Sequence, residues 1–432
     1  MTKQWLKIIA SLAVILPWQA QAELVIEITG GTEAALPIAV VPFGNTGPTA
    51  QIDISEIITN DLASSGRFDP LSKRDLISDP HEKSEINFKD WRLLRSEGLL
   101  VGKVSTEDGE LHKVQFQLFD VYKSQQLAGM RYQVPAGGLR RLAHKISDQV
   151  YEALTGEVGV FSTRLAFITE VKGADGNKRY ALQVSDADGA NPRTVLQSKQ
   201  PILSPSWSPD GERLSYVSFE NGKTEIFVQE MRSGRRNSVA AFKGINSAPS
   251  WSPDGTKLAI TLSKAGNPEI YILELASGKL SRVTHNSQAI DTEAVWMPNG
   301  NEILFTSDRG GRPQIYKVSA DGGRAQRVTF EGSYNSSPDI SPDGRTLTMV
   351  HGFKGKFYIA VQDLQTGTLQ VLTETGRDES PSFAPNGRTI LYATEQRGKA
   401  LLAAVSVNGG NHRRFGESGT DVREPAWSPL RK

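Results

Sequence analysis

From about residue 160 onward, apolar residues come in short runs separated by Gly, Pro, Asp and Asn. Period-two alternation, as in Glu269-Ile270-Tyr271-Ile272-Leu273, predicts half-buried strands. Strands are expected at 213–219, 257–263, 302–307, 346–351 and 389–394. A second set is expected at 225–230, 269–275, 314–319, 357–363 and 401–407, and later ones at 279–283 and 368–372. Residues 23–158 follow other rules. Ile54, Ile57, Ile58 and Leu62 have helical spacing and predict a helix over 52–65, closed by Gly66. Leu139, Leu142, Ala143, Ile146, Val150 and Leu154 predict an amphipathic helix over 138–154. A short helix at 88–96 and strands at 24–28, 37–42, 99–105, 111–122 and 126–134 complete a small mixed α/β domain, with Asp108-Gly109 as a hairpin turn.

The strand-rich part is written in one repeating phrase. PSWSPDG at 205–211 returns at 249–255, then as AVWMPNG at 294–300, PDISPDG at 338–344, PSFAPNG at 381–387 and PAWSP at 425–429. The central apolar residues are Trp207, Trp251, Trp296, Ile340, Phe383 and Trp427, stepping by 44, 45, 44, 43 and 44. That period in a strand-rich chain predicts a β-propeller with one four-stranded blade per repeat. The central residue fills the wedge between blades, Pro ends the strand, and Asp-Gly or Asn-Gly forms the turn. A metal loop or an Asp box is the other reading of Asp-Gly. The residues are adjacent, however, and no alternating acidic ligands follow, so Asp210, Asp254, Asp343, Asn299 and Asn386 are read as structural. The last copy lacks three strands, whereas 164–169, 180–185 and 193–196 lack a first one. Together they predict a sixth blade closed by a C-terminal strand latch.

With 49 Lys plus Arg against 48 Asp plus Glu, the net charge of +1 argues against a nucleic-acid binder. The start is different: Lys3 and Lys7, an apolar stretch over 8–16 and Ala20-Gln21-Ala22 predict a signal peptide over 1–22, cleaved between Ala22 and Glu23. The expected mature protein is then periplasmic, monomeric and without a transmembrane segment. The chain has no Cys, which removes disulfides, lipoprotein anchoring, zinc–thiolate sites and Cys nucleophiles. The domains are expected at 23–158 and 159–432. No catalytic residue, cofactor or metal is expected. His81, His112, His144, His285, His351 and His412 form no ligand spacing, and His144 is read as a surface residue. Gly416-Glu417-Ser418-Gly419 falls one residue short of a nucleophile elbow and is read as a loop.

What remains is surface. The segments before each repeat, at 200–204, 245–248, 289–293, 333–337, 377–380 and 420–424, should gather on one face as loops. They bring Asp291, Glu293, Asp378, Glu379, Asp421 and Glu424 beside Arg377 and Arg423, with Ile245, Ile290 and Tyr334. Mixed charge with apolar residues suits a protein or peptide ligand; a solvated loop rim is the plainer reading. A secreted propeller enzyme with channel-lining acids, or a generic protein-binding scaffold, stays open.

The signal, PIAVVPF at 37–43, the repeated WSPDG, SDRGGRPQIYKVSADGG at 307–323, GRDESPSFAPNG at 376–387 and the terminal PAWSP, in this order, resemble the TolB family over essentially the whole chain. The resemblance implies a non-enzymatic periplasmic adaptor of the Tol–Pal system. It implies that the propeller face binds the lipoprotein Pal, through Ile245, Asn246, Ser247, Ala248, Thr292 and Glu293, with Asp291, Tyr334, Arg377, Asp378, Glu379, Arg423 and Glu424 as the surrounding face. It also implies that Glu23, Leu24, Val25, Ile26, Glu27 and Ile28 engage TolA. Roles in outer-membrane integrity, cell division and bacteriocin import follow from it, with bacteriocins and other outer-membrane or peptidoglycan-associated proteins as further partners. Ile245-Asn246-Ser247-Ala248 departs from the His-containing loop of some family members.

Overall fold

The computed structural model describes residues 35–46, 52–107, 111–173, 175–415 and 420–430. All of them belong to one compact unit, Glu33–Lys432. The expected signal, its cleavage point, the 24–28 strand, the Asp108-Gly109 turn and the 416–419 loop lie outside the described residues.

The first part is a mixed sheet. Its strands are β1 (Leu36–Val40), β2 (Gly44–Thr46), β3 (Phe68–Pro70), β4 (Gly98–Glu107), β5 (Leu111–Asp120) and β6 (Gln125–Pro135), in the order β3-β1-β4-β5-β6 with β2 on β4. β1 runs parallel to both β3 and β4, so it is buried on both faces and carries no alternation. Helices α1 (Ile54–Ser64) and α3 (Leu139–Thr155) cover one face, packing Ile58, Leu62, Leu142, Ile146 and Val150 on Ile38, Leu100, Phe116 and Leu118. On the other face α2 (Phe88–Leu93) sets Trp91 against Ala39, Val41, Leu99 and Phe119. Asp53 caps α1 by accepting from Glu56 N at 3.1 Å. The expected helices and long strands are present within a few residues. β2 and β3 were not expected, because three residues carry no readable period.

The remainder is six four-stranded sheets. β7 (Arg164–Lys172), β8 (Lys178–Asp186) and β9 (Arg193–Ser198) precede the first whole blade. The whole blades are β10 (Ile202–Trp207) to β13 (Arg236–Ala240) and β14 (Asn246–Trp251) to β17 (Leu280–Arg282), then β18 (Asp291–Trp296) to β21 (Gln326–Arg327). After them come β22 (Tyr334–Ile340) to β25 (Leu369–Val371) and β26 (Glu379–Phe383) to β29 (His412–Arg414). β30 (Asp421–Trp427) pairs antiparallel with β7, giving the sheet order β30-β7-β8-β9, and Ser428 N donates to Arg164 O at 2.8 Å. The six blades and the strand latch are therefore as the repeat predicts.

The repeated turn has a different mechanism from a two-residue hairpin. Gly211 N bonds Ser208 O and Ser208 N bonds Arg213 O, so Pro209 and Asp210 are the central residues of a type I turn and Gly211 follows at φ 66°. Asp210 accepts from Glu212 N at 2.9 Å, as Asp254, Asn299, Asp343 and Asn386 do in the other copies. Pro thus presets the turn rather than ending the strand. The central residues lie between blades. The indole N–H groups of Trp207, Trp251 and Trp296 donate to Ala426 O, Ser206 O and Ser250 O of the preceding blade at 3.2, 3.1 and 3.2 Å.

The fifth copy of this turn, with the turn leading into β29 beside it, also faces the first domain. Asn386 Nδ2 donates to Val158 O at 3.1 Å, Arg388 pairs with Glu157, and Asn411 Nδ2 donates to Ser64 O at 2.9 Å. Gly66, at φ 69°, closes α1 against Asn411, whose Cβ would lie 2.8 Å from any added methyl. The connector folds back on α3, where Asp148 accepts from Phe161 N at 2.7 Å and Ser162 N at 3.2 Å. The α/β domain therefore sits on the turn face of the ring, and the ends where the inner strands begin point the other way.

Candidate partner-binding face

The inner strand of every blade carries the same defect. Pairing slips at 203/206, 247/250, 292/295, 336/339, 379/382 and 423/426. At each slip one non-glycine residue has positive φ: Ser204 (51°), Ala248 (48°), Glu293 (54°), Ser337 (50°), Ser380 (53°) and Glu424 (49°). Such a conformation is uncommon for a residue with a Cβ, and repeated bulges of this kind are built features. They line an axial channel of about 1020 Å³. The segments expected as loops are therefore mostly the first residues of the inner strands, bent by a bulge.

Two of the six bulges carry glutamate, three blades apart. Glu293 Oε2 accepts from Ser337 N at 2.8 Å and Thr306 Oγ1 at 2.7 Å, and its Oε1 accepts from Ser337 Oγ at 3.1 Å. Glu424 accepts the backbone N–H of Ser204. Each carboxylate thus ties its bulge to the bulge of the next blade. Burial, with the nearby charges of Glu379 and Glu293, pushes Glu424 up to about 7.

The mouth away from the α/β domain presents an apolar arc and a charged arc. Ile245 is 44% exposed and Ile290 50%. Tyr334 meets Phe357 edge-on at 5.1 Å, and Phe353 is also exposed. Arg377 pairs with Glu395 and Arg423 lies 3.8 Å from Glu379. Arg377 holds the Glu395 carboxyl below the usual range.

The structure places the expected residues in three groups. Ile245, Tyr334, Arg377, Glu379 and Arg423 share the mouth, while Ser247, Ala248, Thr292, Glu293 and Glu424 are half-buried around the bulges. Asn246, Asp291 and Asp378 are buried. Asn246 holds Phe242 N and O, Asp291 pairs with Arg309 at 2.6 Å, and Asp378 is bonded by Thr373 and Thr375. These three shape the face from beneath. Glu23 to Ile28 lie outside the described residues. Phe353, Phe357 and Glu395 were missed. They belong to hairpins between the second and third strands, which antiparallel topology sends to the same end as the inner-strand starts. His144, expected at the surface, is 2% exposed between α1 and α3, because its neighbours are 83 residues away in sequence. Among the described residues, one group of His and acidic side chains is close enough to share an ion: Asp61, His144 and Asp188. Asp61 accepts from Ser147 and bonds His144 Nδ1, and Asp188 pairs with Arg140, so both carboxylates already have protein partners.

A small α/β domain on the turn face of a closed six-bladed ring, with a bulge-lined channel opening opposite, defines a two-domain β-propeller protein. Family models match as the TolB amino-terminal domain over residues 24–127 and the TolB beta propeller domain over residues 151–431. The chain belongs to the TolB family. It is similar to the Tol-Pal system protein TolB of Nitrosococcus oceani, with 60% identity over 99% of each chain. It is similar to that of Pseudomonas aeruginosa, with 48% identity over 95% of each. The crystal structure of TolB from Acinetobacter baumannii superposes with a TM-score of 0.85 at 40% identity, covering 92% of this chain and 97% of that one.

Proposed function

We propose that the protein is a non-enzymatic periplasmic adaptor of the Tol–Pal system that binds Pal at the channel mouth. The observation that carries this reading is the mouth itself. Exposed Ile245, Ile290, Phe353 and Phe357 lie in one arc and the Arg377–Glu395 and Arg423–Glu379 pairs in another, on the face left open by the α/β domain. Apolar anchors give affinity and rim charges give register. In this reading residues 1–22 are a signal peptide cut before Glu23, the domains are 23–158 and 159–432, and the mature protein is a monomer. The segment Glu23–Ile28 engages TolA. The adaptor then serves outer-membrane integrity and invagination at division, within a system that some bacteriocins exploit.

Calorimetric titration of the mature chain with the soluble domain of Pal tests this. Ile290→Asp and Arg423→Glu should each weaken binding at least about tenfold, with folding unchanged because both side chains are exposed. Deletion of residues 23–34 should abolish TolA binding and leave Pal binding intact. Unaltered Pal affinity in both point variants would overturn the placement of the face.

A further inference from the structure

We propose that His144 is a proton-operated clasp that sets how firmly the α/β domain is held on the propeller. His144 stands on α3 and faces two carboxylates from different parts of the molecule. Its Nδ1 is 2.8 Å from Asp61 Oδ2 on α1, and its Nε2 is 3.9 Å from Asp188 Oδ2 in the β8–β9 turn of the ring. Nε2 is buried and has no hydrogen-bond partner. A neutral ring that donates from Nδ1 to Asp61 therefore leaves a buried acceptor unsatisfied. A protonated ring presents an N–H at Nε2 toward Asp188, and one side chain then spans the two domains. Arg140 makes the neighbouring bridge from α3, to Asp186 at 3.2 Å and to Asp188.

The charges around the ring are mixed. Asp61, Asp186 and Asp188 face Arg140 and Arg413, whose Nη2 donates to Ala187 O at 3.0 Å. Asp148, one turn further along α3, adds a desolvated carboxyl pushed up to about 6 by burial. Burial opposes a charge on His144, but the hydrogen bond and charge of Asp61 and the charge of Asp188 outweigh it and hold its pKa above 6.5. Burial also pushes Asp61 up, so the proton belongs to the pair. Donation from Ser147 to Asp61 and the second carboxylate at Asp188 favour keeping it on the imidazole. A raised folded-state pKa gives stabilisation that is complete below the unfolded value and lost as pH rises through the folded one. The clasp is therefore closed at low pH and released as pH rises through the raised pKa of the imidazole.

The chain has no Cys, so a spin-label pair is introduced cleanly at two exposed sites, Leu93→Cys on α2 and Phe330→Cys on the ring. Interdomain distances would be measured on the full mature chain between about pH 6 and about pH 9. The wild-type background should give a narrow distribution in acid that broadens with rising pH. His144→Gln and Asp188→Asn should each remove that pH dependence. A pH-invariant distribution in the wild type, or broadening that survives His144→Gln, would overturn the proposal. Titration of the His144 ring by nitrogen NMR in the wild type needs no variant. A midpoint above 6.5 with both ring nitrogens protonated in acid supports the clasp, and a midpoint at or below 6.5 removes it.

Discussion

Two stretches of the ring do the same job with different chemistry. Where Trp207, Trp251 and Trp296 enter a seam, a neutral indole N–H bonds the main-chain oxygen of the preceding blade, and Arg164 and Arg213 stack 4.6 and 4.5 Å over the first two rings. Where Phe383 enters there is no indole N–H. Asp339, at the position of Ser206 and Ser250, accepts from Phe383 N at 2.7 Å instead. The next seam uses Ser382 Oγ to accept from Trp427 N at 3.0 Å. A single repeated position thus accepts through its backbone, a hydroxyl or a carboxylate. The carboxylate alone brings pH into the seam, because desolvation between the blades pushes Asp339 up to about 6.

The largest effect should come from opening the ring altogether. Removing residues 420–432 takes away β30 with buried Val422 and Trp427, and exposes an edge on β7. Burial of such side chains contributes about 1.5–3 kcal/mol each, a large share of a total stability of about 5–15 kcal/mol. The truncated chain should lose the cooperative unfolding of the whole propeller in calorimetry. Loss of one blade's worth of enthalpy with an unshifted main transition would show that the seams act separately and end any comparison between them.

Trp251→Phe converts an indole seam into the Phe383 kind without supplying an aspartate. It loses the bond to Ser206 O and part of the stack under Arg213, and should cost about 1–3 kcal/mol in denaturant unfolding. The phrase around Trp251 made this seam legible. Period, apolar centre, Pro and Gly are all local, and each acts within its own repeat. The closing blade was legible for the same reason, since its two halves have complementary defects. Other features depend on residues far apart in sequence. Asn246, Asp291 and Asp378 read as a surface amide and surface charges, yet each is buried and bonded, to Phe242, Arg309 and Thr373 in turn. His144 reads as polar surface until Asp61 and Asp188 are brought to it by α1 and the ring. The positive φ at Ser204, Ala248 and Glu293 has no glycine to announce it, because it arises where the pairing of the inner strand slips.

Asp339→Ser turns the acidic seam into the Ser382 kind. A carboxyl whose folded pKa is raised to about 6 contributes stability fully below its unfolded value, and that contribution is lost as pH rises through 6. The wild type should therefore lose about 1–2 kcal/mol between about pH 5 and pH 8 that the serine variant keeps. Equal pH slopes in the two proteins would mean that Asp339 stays charged throughout and that the seams differ in geometry alone.

The smallest effect belongs to the bulges, which both kinds of seam share. Ala248 holds φ 48° with a Cβ, and Glu293 and Glu424 hold the same conformation while reaching across to the next blade. Ala248→Gly relieves a left-handed alanine without removing any side-chain bond. It should raise stability by about 0.5–1 kcal/mol, since relief of about 1–2 kcal/mol in the folded state is partly offset by the freer unfolded chain. Glu424→Gly would relieve the same backbone and still destabilise, because Ser204 N would lose its acceptor. If both glycine variants gain stability alike, the carboxylates are incidental to the ring. Opposite signs would show that the two glutamates hold their bulges closed and that strain at the channel is retained for the face it shapes.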